Sequence, residues 1–139
     1  MVGEIAMASS PAPVARVLLA EDNATNRHVI VSLLVRLGCS VDTVENGVLA
    51  VEAAARMRYD LIFMDVQMPE LDGPDAARLI RVPGSLSADV PVIAVTASDR
   101  EEDRRRCEDV GMSAYLRKPF GRNQLAEVIR NHGFAPLTG

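Results

Sequence analysis

Short apolar runs in this sequence end in side chains suited to handling phosphate. Glu21 and Asp22 follow the run RVLLA at 16–20, and Asp65 closes DLIFMD at 60–65. Thr96 closes PVIAVT at 91–96, and Lys118 with Pro119 follows a short run at 113–116. Carboxylates brought together repel, and one of them is driven to keep a proton unless a cation neutralises the group. An all-oxygen ligand set that leaves positions for water suits Mg²⁺, with Mn²⁺ as a substitute. Lys118 would then bring a second positive charge, and Thr96 a hydrogen bond, to the same phosphoryl oxygens. That is most of what phosphoryl-transfer catalysis requires. One carboxylate must act as nucleophile, and Asp65 is best placed because it ends the most apolar run. Taken singly these residues are ordinary: acids are common in surface turns, Thr96 reads as a strand end or helix cap, and Lys118 as a solvated charge. The joint arrangement carries the chemistry.

Such an arrangement needs elements that deliver all five residues to one place. Strands are expected at 16–20, 40–44, 60–65, 91–96 and 113–116. Between and after them, helices are expected at 26–37, 48–57, 74–81, 99–110 and 123–131. The first helix places Val29, Ile30, Leu33, Leu34 and Leu37 on one face, and Gly38 stops it. Pro74 suits the first helical position, where no N–H is needed. Residues 82–89 read as a loop. Five strands alternating with five helices predict a parallel α/β sheet covered on both faces. In such sheets ligands sit beyond the carboxyl ends of the strands, which is where the five polar residues fall.

The 139 residues suffice for one domain, and an apolar fraction of 48% supplies a core. Residues 1–14 read as a disordered linker or expression remnant, 15–133 as the folded domain and 134–139 as a short tail. A net charge of -4 gives no basic patch, so no direct nucleic-acid contact is expected. No apolar run approaches the roughly 18 residues of a membrane span, and the first thirteen residues lack the pattern of a signal peptide. Two distant cysteines, Cys39 and Cys107, make neither a disulfide framework nor a zinc site, which fits a cytoplasmic setting.

With LLAEDN at 18–23, MDVQMP at 64–69 followed by Asp72-Gly73, VTA at 95–97 and KPF at 118–120, in that order, the chain resembles the receiver domain of two-component response regulators. The resemblance covers roughly 16–132. It implies a doubly wound, flavodoxin-like sheet of strand order 2-1-3-4-5. It implies that Asp65 accepts a phosphoryl group from the phosphohistidine of a histidine kinase or histidine phosphotransfer domain. Mg²⁺ would be held by Asp22, Asp65 and the backbone carbonyl of Gln67, with Glu21 acting through water. Thr96 and Lys118 would grip the phosphoryl oxygens, and Lys118-Pro119 would be a cis bond. Tyr115 stands at the family's aromatic switch position. There, phosphorylation would draw Thr96 inward and let Tyr115 rotate, reshaping the face made by the fourth helix, fifth strand and fifth helix. Gln67 and Ser98 lie where the family tunes phosphate lifetime.

EDNxxNR at 21–27 and MDVQMP look like receivers attached to hybrid sensor kinases. The expectation is therefore a receiver without its own output domain, monomeric or weakly dimeric, with a stand-alone relay protein as the alternative. Such a domain catalyses its own phosphorylation and dephosphorylation without being a conventional enzyme. Pro74 and Gly121 depart from the family's common residues, outside the site. The charged helix at 99–110 reads as a solvated face, or else as a surface that meets a partner. His28 and His132 read as surface residues. Tyr115 alone would be a half-buried packing residue. Three rivals fit less well. A small Mg-dependent phosphatase with an Asp nucleophile would want an acid where Gln67 stands. A flavin or nucleotide binder would want a phosphate-cradling loop where Glu21 and Asp22 stand. A binding-only receiver would have lost some of the site residues.

Overall fold

A computed structural model describes residues 12–137. The parts of the expected linker and tail at 1–11 and 138–139 lie outside the described residues. The strands are β1 (Arg16–Ala20), β2 (Ser40–Val44), β3 (Leu61–Asp65), β4 (Val92–Thr96) and β5 (Ala114–Arg117). The helices are α1 (Ala24–Arg36), α2 (Gly47–Arg56), α3 (Gly73–Ile80), α4 (Glu101–Asp109) and α5 (Arg122–Asn131). All strand pairs are parallel, in the order β2-β1-β3-β4-β5.

This order follows from which runs are apolar throughout. Every residue of β3 and β4 is buried, as is β1 after its first residue, so these three occupy the centre. β2 buries no residue fully and lies at an edge. Alternation along the central strands splits the core into two layers. Leu18, Ile62, Met64, Val92 and Ala94 face α2, α3 and α4 through Ala50, Ala54, Ala77, Ile80 and Cys107. Val17, Leu19, Phe63, Ile93 and Val95 face α1 and α5 through Ile30, Leu34, Leu125 and Ile129. Each fully buried large side chain contributes about 1.5–3 kcal/mol relative to exposure.

Helix starts differ from the sequence expectation because polar caps, more than apolar residues, decide them. α1 begins two residues earlier than expected, since Asn23 accepts a hydrogen bond from the Asn26 N–H at 2.9 Å. Asn46 does the same for α2, from the Leu49 N–H at 2.8 Å. Asp72 caps α3 by accepting from the Asp75 N–H at 3.1 Å, which puts Pro74 at the second helical position. Such caps are worth about 1 kcal/mol each. β5 runs one residue later than expected, at 114–117, and α4 is shorter at both ends. α1 also departs from a single apolar face: Ile30, Leu34 and Leu37 are buried, whereas Val29 and Val35 point outward.

Gly73 ties α3 to the strand that carries Asp65. Its N–H donates to the Val66 carbonyl at 2.8 Å. A Cβ there would lie 2.3 Å from the Asp65 carbonyl oxygen, which is backbone and cannot swing away. Gly73→Ala should therefore cost about 1–3 kcal/mol through overpacking. Urea unfolding checks this; a midpoint equal to that of the unsubstituted chain would contradict it.

Candidate functional site

The sheet's register brings the predicted residues together. Ala20 pairs with Met64, Asp65 with Val95 and Thr96 with Arg117, so β1, β3, β4 and β5 end at one rim. Glu21 continues the ladder past β1, its N–H donating to the Val44 carbonyl at 3.0 Å. Lys118 continues past β5, its N–H donating to the Thr96 carbonyl at 2.8 Å. The Lys118-Pro119 bond is cis.

Burial at this rim is severe for charged groups. Glu21 is 1% exposed, Asp65 7% and Thr96 2%, while Asp22 is exposed. Carboxylate oxygens of Glu21, Asp22 and Asp65 lie within 4.8 Å of one another. The Lys118 ammonium donates to Glu21 Oε1 at 2.5 Å and reaches Asp65 Oδ2 at 3.5 Å. Glu21 takes the shorter contact because it is the most deeply buried acid, and a buried charge needs its counterion closest. The Asn23 N–H also donates to Glu21 Oε2 at 3.2 Å, and the Gln67 N–H to Asp65 Oδ1 at 3.3 Å.

These contacts separate the two buried acids. Burial pushes the Asp65 carboxyl up, the neighbouring Glu21 pushes it further, and together they bring it to about 7. Burial also works against an ionised Glu21, but hydrogen bonds from Lys118 and Asp65 outweigh it and hold Glu21 below its ordinary range. One ammonium for two buried carboxylates leaves the site short of positive charge. The donor set is oxygen only, with one acid open to solvent, and it fits a hard divalent cation such as Mg²⁺ or Mn²⁺.

Thr96 Oγ1 accepts from the Ser98 N–H at 3.0 Å. Tyr115, half-buried, donates its hydroxyl to the Ser98 carbonyl at 2.9 Å, and the Arg104 guanidinium lies 4.5 Å from the centre of its ring. The structure thus gathers Glu21, Asp22, Asp65, Gln67, Thr96 and Lys118 at one rim and links Tyr115 to it through Ser98.

Several partners were not legible beforehand. Arg27 donates from Nη1 to the Glu21 carbonyl at 2.8 Å. Arg106 donates to Asp72 Oδ2 at 2.9 Å and so joins α4 to the cap of α3. α4 is accordingly more than a solvated face: Asp103 is buried, and Arg104 and Arg106 are used within the chain. His28 is exposed as expected, whereas His132 is held between Ser113 Oγ at 2.9 Å and the Val128 carbonyl at 2.7 Å. The sequence also marks this residue: Lys118 is its only lysine, every other basic side chain being arginine apart from the two histidines.

Residues 17–130 match the family described as the response regulator receiver domain. Transcription factor SKN7 of Chaetomium thermophilum is 41% identical over 119 residues, covering 84% of this chain and 15% of that protein. Sensor protein GacS of Pseudomonas syringae pv. syringae is 39% identical over 123 residues, covering 87% and 13%. Hybrid signal transduction histidine kinase B of Dictyostelium discoideum is 37% identical over 128 residues, covering 84% and 6%. The chain thus spans between 6% and 15% of the length of these relatives. Among solved structures, the receiver domain of a sensor histidine kinase from Pseudomonas aeruginosa PAO1, with magnesium coordinated in its active-site cleft, is 43% identical. It covers 84% of this chain and 95% of that one at a TM-score of 0.78. A Vibrio cholerae chemotaxis protein, CheY4, is 26% identical, covers 84% of this chain and 97% of that one, and has a TM-score of 0.77.

The charge shortage sets a pH dependence. A carboxyl whose pKa rises on folding stabilises the fold while it keeps its proton. For Asp65 that contribution is fully present below the ordinary value of 3.8 and is lost as pH rises through about 7. Glu21, held below its ordinary 4.5, acts in the opposite sense, but only at more acidic pH. In chelator-treated protein, Asp65→Asn should therefore flatten a fall in melting temperature between pH 5 and 8, read by circular dichroism. An identical fall in both proteins would contradict the assignment.

Proposed function

The chain belongs to the response regulator receiver family, and from that membership we propose that Asp65 takes a phosphoryl group from a phosphohistidine. The donor is a histidine kinase or a histidine phosphotransfer domain. The observation that carries this reading is the buried Asp65 carboxylate, set beside a lysine that is already shared with Glu21. An ionised Asp65 oxygen attacks phosphorus as the bond to the histidine nitrogen breaks, and that nitrogen keeps the electron pair. Lys118 favours the ionised, nucleophilic form of Asp65. Once the phosphoryl group is attached, the Lys118 ammonium and the Thr96 hydroxyl donate to its oxygens, and the burial of Thr96 and partial burial of Lys118 strengthen those bonds. Asp22, Asp65 and the Gln67 carbonyl would hold Mg²⁺, with Glu21 behind them. The ion supplies the positive charge that neutralises phosphoryl oxygens and acids together. The proposed readout is a change at the face of α4, β5 and α5, transmitted through Thr96 and Tyr115.

The placement of the donor follows from the surface beside the site. Asn26, Val29, Ile30 and Leu33 of α1, with Lys118, Pro119 and Phe120, line an apolar groove next to the acceptor. Val29 is 51% exposed. A helix bearing the phosphohistidine would cover it and exclude water from the transfer. The relatives named as a hybrid kinase and a sensor protein support reading this chain as a hybrid kinase's receiver. No helix among the described residues is long and apolar enough to cross a membrane.

Incubation with acetyl phosphate and Mg²⁺ should add one base-labile phosphoryl group, read by intact mass, and none to Asp65→Asn. Uptake by that variant would overturn the reading. Val29→Glu should slow transfer from a phosphorylated histidine phosphotransfer domain about tenfold or more, corresponding to roughly 1.4 kcal/mol, and leave uptake from acetyl phosphate intact. Equal slowing with both donors would rule out a docking role.

A further inference from the structure

The junction between β4 and α4 holds a buried carboxylate that phosphoryl transfer does not use. Asp103, in the first turn of α4, is 6% exposed, and its Oδ2 accepts from Ser98 Oγ at 2.7 Å. Ser98 is engaged on every side. Its N–H donates to Thr96 Oγ1 at 3.0 Å, its carbonyl accepts from the Tyr115 hydroxyl at 2.9 Å, and its Oγ accepts from the Arg100 N–H at 3.1 Å. Arg100, the residue before α4, provides no side-chain cap. Asp103 thus fastens the loop to the helix from within the first turn, where the helix dipole favours a negative charge. A carboxylate this buried is costly without its partner, which favours the closed arrangement. Tyr115 is clasped in turn, with Ser98 at its hydroxyl and Arg104 over its ring.

We propose that Asp103 is a positioning residue of the switch: through Ser98 it holds the β4–α4 loop where that loop bonds both Thr96 and Tyr115. Movement of Thr96 toward a phosphoryl group pulls on the Ser98 N–H. The clasp makes the Ser98 carbonyl, and with it Tyr115, follow. Without the clasp, the Ser98 carbonyl is no longer fixed from α4, and Tyr115 loses its hydroxyl partner. The link to phosphorylation rests on Asp65 being the acceptor; the clasp itself does not.

The test is ¹⁹F NMR of the full chain labelled with 3-fluorotyrosine. The sequence has only two tyrosines, Tyr59 and Tyr115, so Tyr115→Phe assigns the signals. Without any phosphoryl analogue, Ser98→Ala and Asp103→Ala should each move the Tyr115 resonance toward the solvent-exposed position. The double variant should move it no further than the single ones, and Ser98→Thr, which keeps the hydroxyl, should leave it in place. With beryllofluoride and Mg²⁺, the Tyr115 shift should be lost in Ser98→Ala and Asp103→Ala, although bound beryllofluoride still shows its own fluorine signal. An unmoved Tyr115 resonance in folded Ser98→Ala overturns the clasp, as do additive effects in the double variant. Ser98 lies in a loop, so its alanine variant keeps the test decisive if Asp103→Ala does not fold. Absence of bound beryllofluoride in the unsubstituted chain would instead refute Asp65 as acceptor and leave the first arm standing.

Discussion

Glu21 and Asp65 are both withdrawn from water at the carboxyl rim of the sheet, and they share one ammonium, that of Lys118. Removing two like charges from solvent costs several kcal/mol per ion before compensation. The fold meets part of that cost with backbone donors from Asn23 and Gln67, and it leaves the rest as a raised Asp65 pKa. A site built this way is short of positive charge and receptive to a group that arrives with a cation. If Asp65 is the acceptor proposed above, the same shortage would keep part of its carboxyl protonated at neutral pH until a cation restores the charge balance.

The rest of the structure reads as support for that rim. A parallel order with β1, β3 and β4 at the centre is what places Glu21, Asp65 and Thr96 side by side, because these strands have no polar face to leave exposed. Close packing of Gly73 against the Asp65 backbone fixes the end of β3. Asn23 both caps α1 and donates its N–H to Glu21, so one residue starts that helix and holds a buried acid. Lys118 reaches the rim as the residue just past β5, and Phe120 beyond it continues into the groove against α1. The proposed transfer chemistry and partner docking would therefore draw on adjoining residues of the same loop.

Much of this was legible in the sequence because strands that are apolar along their length are buried on both faces, which fits the centre of a parallel sheet, and ligands of such sheets gather at the strands' carboxyl ends. The run DLIFMD carries burial, direction and the proposed acceptor within six letters. Residues whose role depends on tertiary contacts were less legible. Val29 fits an inward helical periodicity, yet α1 is apolar on two sides and only the neighbouring α5 and β5 decide which side is covered. Asp103 lies among Glu101, Glu102 and three arginines, where composition predicts solvent; only the fold of the preceding loop puts Ser98 against it. The starts of α1 and α3 depart from apolar periodicity because hydrogen bonds accepted by the Asn23 and Asp72 side chains set them.

Burial beside Glu21, with a single shared lysine, pushes the Asp65 carboxyl up to about 7 in the absence of a cation. Carbon-detected NMR titration of the Asp65 carboxyl in metal-free protein measures this directly. The midpoint should be displaced from 3.8 toward about 7, and Asp65 should ionise fully at neutral pH once Mg²⁺ is added. A midpoint in the ordinary aspartate range, unmoved by Mg²⁺, would contradict it.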